Sequence, residues 1–126
     1  MENYQADSVA ITAALETYYF KGLYEGDINS LESIFHPGTL LFGDIQGKPY
    51  AKTLDQYLDG VRQRQSPKDS GKTFKGSIIS IDVINSIAVA KVRVKMYDFN
   101  YYDLLSFHKF GDRWMIVSKM LTDVAE

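Results

Sequence analysis

The sequence contains no cysteine, one tryptophan, two histidines and three prolines in 126 residues. The absence of thiols excludes a disulfide framework, a thiol nucleophile and a thiolate-held metal. Two histidines with no third donor at ligand spacing do not make a metal site either. No apolar run approaches the ~20 residues that a membrane-spanning helix requires. Neither sign of charge dominates: 14 Lys and Arg against 16 Asp and Glu leave a net charge of −2, without the basic footprint of a nucleic-acid partner. The start Met1-Glu2-Asn3-Tyr4-Gln5 has neither the basic beginning nor the apolar core of a secretory signal. The expectation is a cytoplasmic protein with no nucleic-acid partner and no membrane partner.

What is present is 45% hydrophobic and 24% charged, the composition of one soluble domain over residues 1–126, long enough to bury its own core. Its centre is Lys75 to Leu121, which reads as four consecutive strands joined by short turns. Ala88, Ala90, Val92, Val94 and Met96 alternate with Lys91, Arg93 and Lys95, the pattern of a half-buried antiparallel strand. Upstream, Asp7 or Ser8 can cap a helix whose stripe is Ile11, Leu15, Tyr18, Tyr19, Gly22 and Leu23, ending at Glu25-Gly26. Asp27 caps a second helix carrying Ile28, Leu31, Ile34 and Phe35, which Pro37-Gly38 prevents from continuing. Thr39 to Gly43 reads as a short buried strand leading into a Gly47-Lys48-Pro49 loop. Thr53 and Gln56 form a capping box ahead of a third helix with Leu54, Tyr57, Leu58 and Val61. Residues 65–72 are polar and rich in breakers, which predicts a mobile loop.

Turn lengths set the register. A two-residue turn at Asn85-Ser86 puts Ile81 opposite Ala90 and Ile79 opposite Val92, adding Val83 to the same face. A three-residue turn at Asp98-Phe99-Asn100 puts Met96 against Tyr102, Val94 against Leu104, Val92 against Ser106 and Ala90 against His108, with Lys95 facing Asp103 on the other side. A two-residue turn at Gly111-Asp112 turns Met115, Val117 and Lys119 inward and Trp114, Ile116 and Ser118 outward, unless a bulge exchanges the sets. The expected fold is α+β: three N-terminal helices packed on a strongly curved, mostly antiparallel sheet, a short strand between helices two and three, and then a four-strand meander. Such a twisted sheet encloses a cone-shaped cavity at one end. In this register the outer face carries Tyr97, Tyr101, Leu105, Phe107, Trp114 and Ile116, an apolar patch read as a homodimer interface.

The order of elements resembles the nuclear transport factor 2-like superfamily, whose fold is a cystatin-like cone. More narrowly, Gly22-Leu23-Tyr24-Glu25-Gly26-Asp27, Phe35-His36-Pro37, Ser80-Ile81-Asp82-Val83, Ala88-Val89-Ala90-Lys91-Val92 and Trp114-Met115-Ile116-Val117-Ser118-Lys119 resemble its bacterial branch called putative lumazine-binding proteins. The resemblance implies a homodimer with a ligand-sized cavity. The superfamily also includes ketosteroid isomerase, which needs a carboxylate base on the first short strand and an oxyanion hole made by a helix-one tyrosine and a protonated aspartate. On that resemblance Tyr19 takes the place of the tyrosine, but the base position falls on Gly43 and the aspartate position on Ser106. Asp44 is one residue out of register and points the opposite way.

The polar residues expected to reach the cavity are Tyr19, His36, Tyr57, Tyr102, Ser106, His108 and Lys119, with Leu41, Val94, Met96 and Leu104 as apolar wall. Nine tyrosines, with Tyr18, Tyr19, Tyr57 and Tyr102 aimed at one volume, suit a planar ligand or simply fill a core. His36 is either a general base at the cavity mouth or a helix C-cap. His108 is either an acid-base group or a wall residue. Lys119 could bind an anion, form a Schiff base or snorkel outward. Three functions follow: a cofactor-free, small-molecule-binding homodimer; a cofactor-independent isomerase, dehydratase or cyclase with His36 or His108 as acid-base and Tyr19 as donor; or a protein-interaction module.

Overall fold

The computed structural model describes residues 4–126, so the expectation drawn from Met1 to Asn3 lies outside the described residues. The first helix runs from α1 (Tyr4–Ala14) through a π-helical segment (Leu15–Phe20) into α2 (Lys21–Glu25). Ile11, Leu15, Tyr19 and Leu23 are all buried. Four residues overshoot a 3.6-residue turn by about 40°, and wider i→i+5 turns absorb the excess. Tyr18, placed on the buried stripe by the 3.6-residue reading, is instead 41% exposed. The helix begins before Asp7. The Asp7 carboxylate accepts hydrogen bonds from Trp114 Nε1 and Lys109 Nζ, each at 3.2 Å, and so fastens the helix to the sheet instead of capping it.

Gly26, with φ 68°, ends α2. Asp27 caps α3 (Ile28–Ile34), accepting from Ser30 N at 3.2 Å. The chain then enters β1 (Phe35–Ile45) earlier than its Pro37-Gly38 breaker suggests. Gln46 and Gly47 both have positive φ, which makes a tight hairpin to β2 (Lys48–Thr53). β2 replaces the expected loop, and Pro49 is tolerated because the strand lies on the sheet edge. Thr53 and Gln56 close the capping box of α4 (Leu54–Gln63) through bonds of 3.2 and 3.0 Å. Thr53→Ala should cost about 1 kcal/mol, read as a fall in Tm of about 4 °C. Residues 65–72 are not a plain loop: Ser66 caps the short α5 (Pro67–Ser70), and Pro67 is buried.

β3 (Phe74–Ile84), β4 (Ile87–Met96), β5 (Phe99–Phe110) and β6 (Arg113–Asp123) complete a curled six-stranded sheet of order β2-β1-β6-β5-β4-β3. Only β1 and β6 run parallel. The helices cover one face, and the inward row Ala88, Ala90, Val92, Val94 and Met96 is buried as its alternation requires. The Asn85-Ser86 turn sets Ile81 against Ala90 as expected, but a bulge between Ile78 and Ser80 brings Ile78, not Ile79, opposite Val92.

The next turn overturns the expected register. It comprises two residues, Tyr97 and Asp98, so that Met96 pairs with Phe99, Val94 with Tyr101, Val92 with Asp103 and Ala90 with Leu105. Tyr97 takes φ 53°, uncommon for an aromatic residue. Its hydroxyl donates to Gln65 O and the Arg64 guanidinium lies 5.8 Å from its ring centroid. A shift of three residues is odd and exchanges the faces of β5. Leu105 and Phe107 are therefore core residues and Tyr101 lines the inner side, whereas Tyr102, Leu104, Ser106 and His108 face outward. A bulge between Ser106 and Phe107 then exchanges the faces of β6 along its length. Trp114 and Ile116 are buried at one end, Lys119 and Leu121 at the other. Leu105, Phe107, Trp114 and Ile116, expected at a dimer interface, are thus inside the subunit, and Tyr97 and Tyr101 are half-buried beside the core.

Candidate functional site

Four polar side chains meet inside the open end of the cone. Tyr19 comes from the π-helical segment, Tyr57 from α4, Asp103 from the middle of β5 and Lys119 from β6 after its bulge. Tyr19 Oη donates to Asp103 Oδ2 at 2.6 Å. Lys119 Nζ lies 3.8 Å from the same oxygen and donates to Tyr57 Oη at 3.4 Å. The ammonium also sits 4.6 Å from the Tyr57 ring centroid and 5.2 Å from that of Tyr19, within reach of cation–π attraction. Lys119 is 5% exposed and Asp103 2%. Asp103 Oδ1 is fully buried and has no hydrogen-bond partner among the described residues.

Tyr57, Asp103 and Lys119 form the floor of a cavity of about 80 Å³, with Tyr19 bonded to Asp103 outside the lining; the cavity is walled by Leu23, Val94, Met96 and Leu121 and opens past Ile45, Tyr50, Arg64 and Tyr101. The volume holds a few waters or one small ring, below the roughly 300–1,000 Å³ of pockets for drug-sized ligands. Burial pushes the Tyr19 hydroxyl well above its ordinary value, and the adjacent Asp103 charge adds to the effect. Tyr19 therefore stays a neutral donor. Burial also raises the Asp103 carboxyl, against the opposing pull of Lys119 and the Tyr19 hydrogen bond. For Lys119, burial works against the charge, but Tyr57 and Asp103 outweigh it and the net direction is upward. An ammonium held protonated is not a Schiff-base nucleophile. Burial raises Tyr50 and Tyr101 as well, so the mouth presents neutral phenols beside Arg64. No group of three or more His, Asp or Glu among the described residues could hold a metal ion, and no described helix is long and apolar enough to cross a membrane.

The sequence model of the family described as "Putative lumazine-binding" matches residues 6–122. The chain belongs to that family. No functionally curated protein matches it. Its fold is that of the nuclear transport factor 2-like proteins. A protein of that description and unknown function from Silicibacter pomeroyi superposes with a TM-score of 0.86 at 24% identity, over 98% of this chain and 100% of the other. Another from Shewanella baltica gives 0.82 at 20% identity over all of both chains. A ketosteroid isomerase-like protein from Erwinia carotovora atroseptica gives 0.70 at 14% identity, over 94% and 96%. At these identities the likeness is one of fold.

In this member of the family, the structure brings Tyr57, Val94, Met96 and Lys119 of the expected residues to the cavity lining, with Tyr19 fully buried behind them and bonded to Asp103. Leu41 is buried in the core but is not part of the lining. Tyr102, Leu104, Ser106 and His108 are on the opposite face of the sheet. His36 is neither a helix C-cap nor a cavity residue: it lies in β1, its Nδ1 accepts from Gly38 N at 3.0 Å, and its ring stacks on Phe110 at 5.1 Å. His108 packs on the same Phe110 ring at 4.7 Å. The aspartate that meets Tyr19 is Asp103, whereas Ser106 lies on the outer face. Gly43 has no side chain, and Asp44 accepts from Thr122 on the outer side, so no carboxylate base faces the cavity from β1. Asp103, Tyr101, Tyr50, Arg64 and Leu121 escaped the sequence reading. The signal for β5 was nevertheless present: Phe99, Tyr101, Leu105 and Phe107 make a more apolar alternating set than Tyr102, Leu104, Ser106 and His108.

Proposed function

We propose that the protein is a cytoplasmic homodimer in which each subunit binds a small molecule in the Lys119 cavity, without a cofactor and without a nucleic-acid or membrane partner. The observation that carries this reading is the buried Asp103–Lys119–Tyr57 group, braced by Tyr19, at the floor of an open cavity. Buried charge costs stability relative to apolar packing, and here it is placed where a ligand can reach it. The family match supports a small-molecule ligand. Acid-base chemistry by His36 or His108 lacks support, because neither histidine reaches the cavity. Native mass spectrometry of gently purified protein tests the reading. A defined extra mass on each subunit is expected; protein that neither retains a small molecule nor binds one added to it would refute it.

The dimer reading passes to the other set of strand positions. Phe42, Met120, Leu104 and Lys91 form one row across β1, β6, β5 and β4, and Asp44, Thr122, Tyr102 and Arg93 form the next. Phe42 and Met120 are 52% and 53% exposed, beside a depression of about 630 Å³. Each subunit presents Asp44 on the β1 side of the apolar centre and Lys91 on the β4 side, where Arg93 is paired with Glu126. A two-fold stacking of two such faces sets unlike charges together. Met120→Glu should convert a micromolar dimer into a monomer in gel filtration with light scattering. A wild-type monomer would remove the dimer and leave this face to a different protein.

A further inference from the structure

The polar side chains around the cavity restrict the chemistry of its ligand, an inference that rests on the small-molecule reading above. Among the described residues, Asp103 is the only carboxylate of the lining, and it is committed inside the protein: Oδ2 accepts from Tyr19, and Oδ1 is sealed from solvent. Every other polar side chain of the lining offers a donor: the Lys119 ammonium, the Arg64 guanidinium and the hydroxyls of Tyr50, Tyr57 and Tyr101. Lys119 and Asp103 offset each other across 3.8 Å. Arg64 is different. None of the ion pairs among the described residues includes it, so it carries the unbalanced charge of the cavity. Both cations act on the Tyr50 hydroxyl, and Arg64 acts on Tyr101 as well. Asp123, whose charge also reaches Tyr101, accepts from Asn100 N at 2.9 Å and lies outside the lining. A cationic ligand would therefore face Arg64 and Lys119, and a neutral donor would find no open carboxylate. The ligand that matches these walls is an acceptor with one negative charge and a compact apolar body.

We propose that the cavity binds a small monocarboxylic acid in its ionised form, its carboxylate held by Arg64 and the hydroxyls of Tyr50 and Tyr101 and its body lying against Leu23, Val94 and Met96. A guanidinium pairs with a carboxylate through two parallel N–H···O bonds. The two phenols complete the shell as neutral donors, because burial raises both of them. Lys119, deeper in the cavity, adds to the positive field without having to touch the ligand. The volume of about 80 Å³ limits the body to one small ring or a short branched chain.

The test is an amide-resolved NMR titration of wild-type protein with benzoate and with benzamide, which has nearly the same shape and no charge, at one fixed salt concentration. The signals of Tyr101 and Lys119 are expected to report benzoate binding tighter than benzamide binding by about tenfold or more. Arg64→Gln should abolish that preference. Arg62→Gln removes the same charge from a side chain paired with Asp59 and should leave the preference intact. Both arginines are exposed, so neither change threatens the fold. Benzamide binding as tightly as benzoate, a preference that survives Arg64→Gln, or an equal loss in Arg62→Gln would each overturn the carboxylate assignment and leave the small-molecule reading standing. If neither compound moves these signals, the assignment falls too, and native mass spectrometry decides separately whether the cavity binds anything.

Discussion

Replacing Lys119 by methionine should destabilise the protein by about 3–5 kcal/mol, whereas replacing Lys119 and Asp103 together should cost much less than the sum of the two single changes. Lys119→Met leaves the Asp103 carboxylate buried and facing no cation; Asp103→Leu leaves a buried ammonium without its anion. Either stranded charge carries a desolvation penalty of that order. The double change Asp103→Leu/Lys119→Met removes both charges. It leaves the Tyr19 hydroxyl, now without the acceptor that it bonds at 2.6 Å, as the main deficit, about 1–3 kcal/mol. Urea denaturation of the four proteins closes the cycle. A coupling of about 2 kcal/mol or more is expected; additive costs would mean that the two charges do not support one another.

The pH dependence of the same variant has a definite sign. Burial raises the Asp103 carboxyl, and Lys119 and the Tyr19 bond pull it partly back. A carboxyl whose folded value exceeds its unfolded value of about 3.9 gives its full contribution to stability below that unfolded value and loses it as the pH rises through the folded one. Removing Lys119 takes away a downward pull and raises the folded value further. The penalty of Lys119→Met should accordingly be smallest near pH 4 and grow toward neutrality. In the wild type, the raised Lys119 value keeps its contribution present below about pH 10.4 and loses it only in stronger alkali.

Helix caps and the inward row of β4 were legible because local chemistry decides them: Asp27 and Thr53 bond the amides that their spacing predicts, and Ala88 to Met96 alternate without interruption. The candidate site was less legible because it depends on where strands turn. Asp98-Phe99-Asn100 looks more turn-like than Tyr97-Asp98, since a tyrosine at φ 53° is disfavoured by its own backbone. What holds it there, Gln65 and Arg64, is more than thirty residues away in sequence. The resulting shift of three residues moved Asp103 to the wrong face and brought His108 into a cavity that it does not touch. Lys119 was placed inward through two departures that cancel: the exchanged faces of β5 carry over to the start of β6, and the bulge at Val117 exchanges them back. A pattern of period two is easily read along one strand, but each added or lost residue inverts everything beyond it.

Gly43→Ala should be the most damaging single methyl group in the sheet. A Cβ at this position would lie 1.7 Å from the Leu121 carbonyl oxygen and 2.8 Å from its carbon, closer than any non-bonded contact, and both atoms belong to backbone that cannot rotate aside. Gly43 pairs with Leu121 in the parallel β1–β6 ladder and with Tyr50 in the hairpin, so relief requires the two strands to part. That ladder joins the β1–β2 hairpin to the rest of the sheet, and it positions the β6 strand that carries Lys119 to the cavity floor. The expected loss is more than about 3 kcal/mol, the upper range for overpacking, with much of the protein failing to accumulate in folded form. Gly60→Ala is the matched control. It lies inside α4, where an added Cβ meets nothing within 4 Å, and alanine there should stabilise by about 0.5–1 kcal/mol. Thermal and urea denaturation of the pair compare one methyl group in two environments. Equal stability of the two variants would mean that β1 and β6 are not in close parallel contact at Gly43. The same contact explains why residue 43 carries no side chain: any Cβ there would separate the strands that position Lys119.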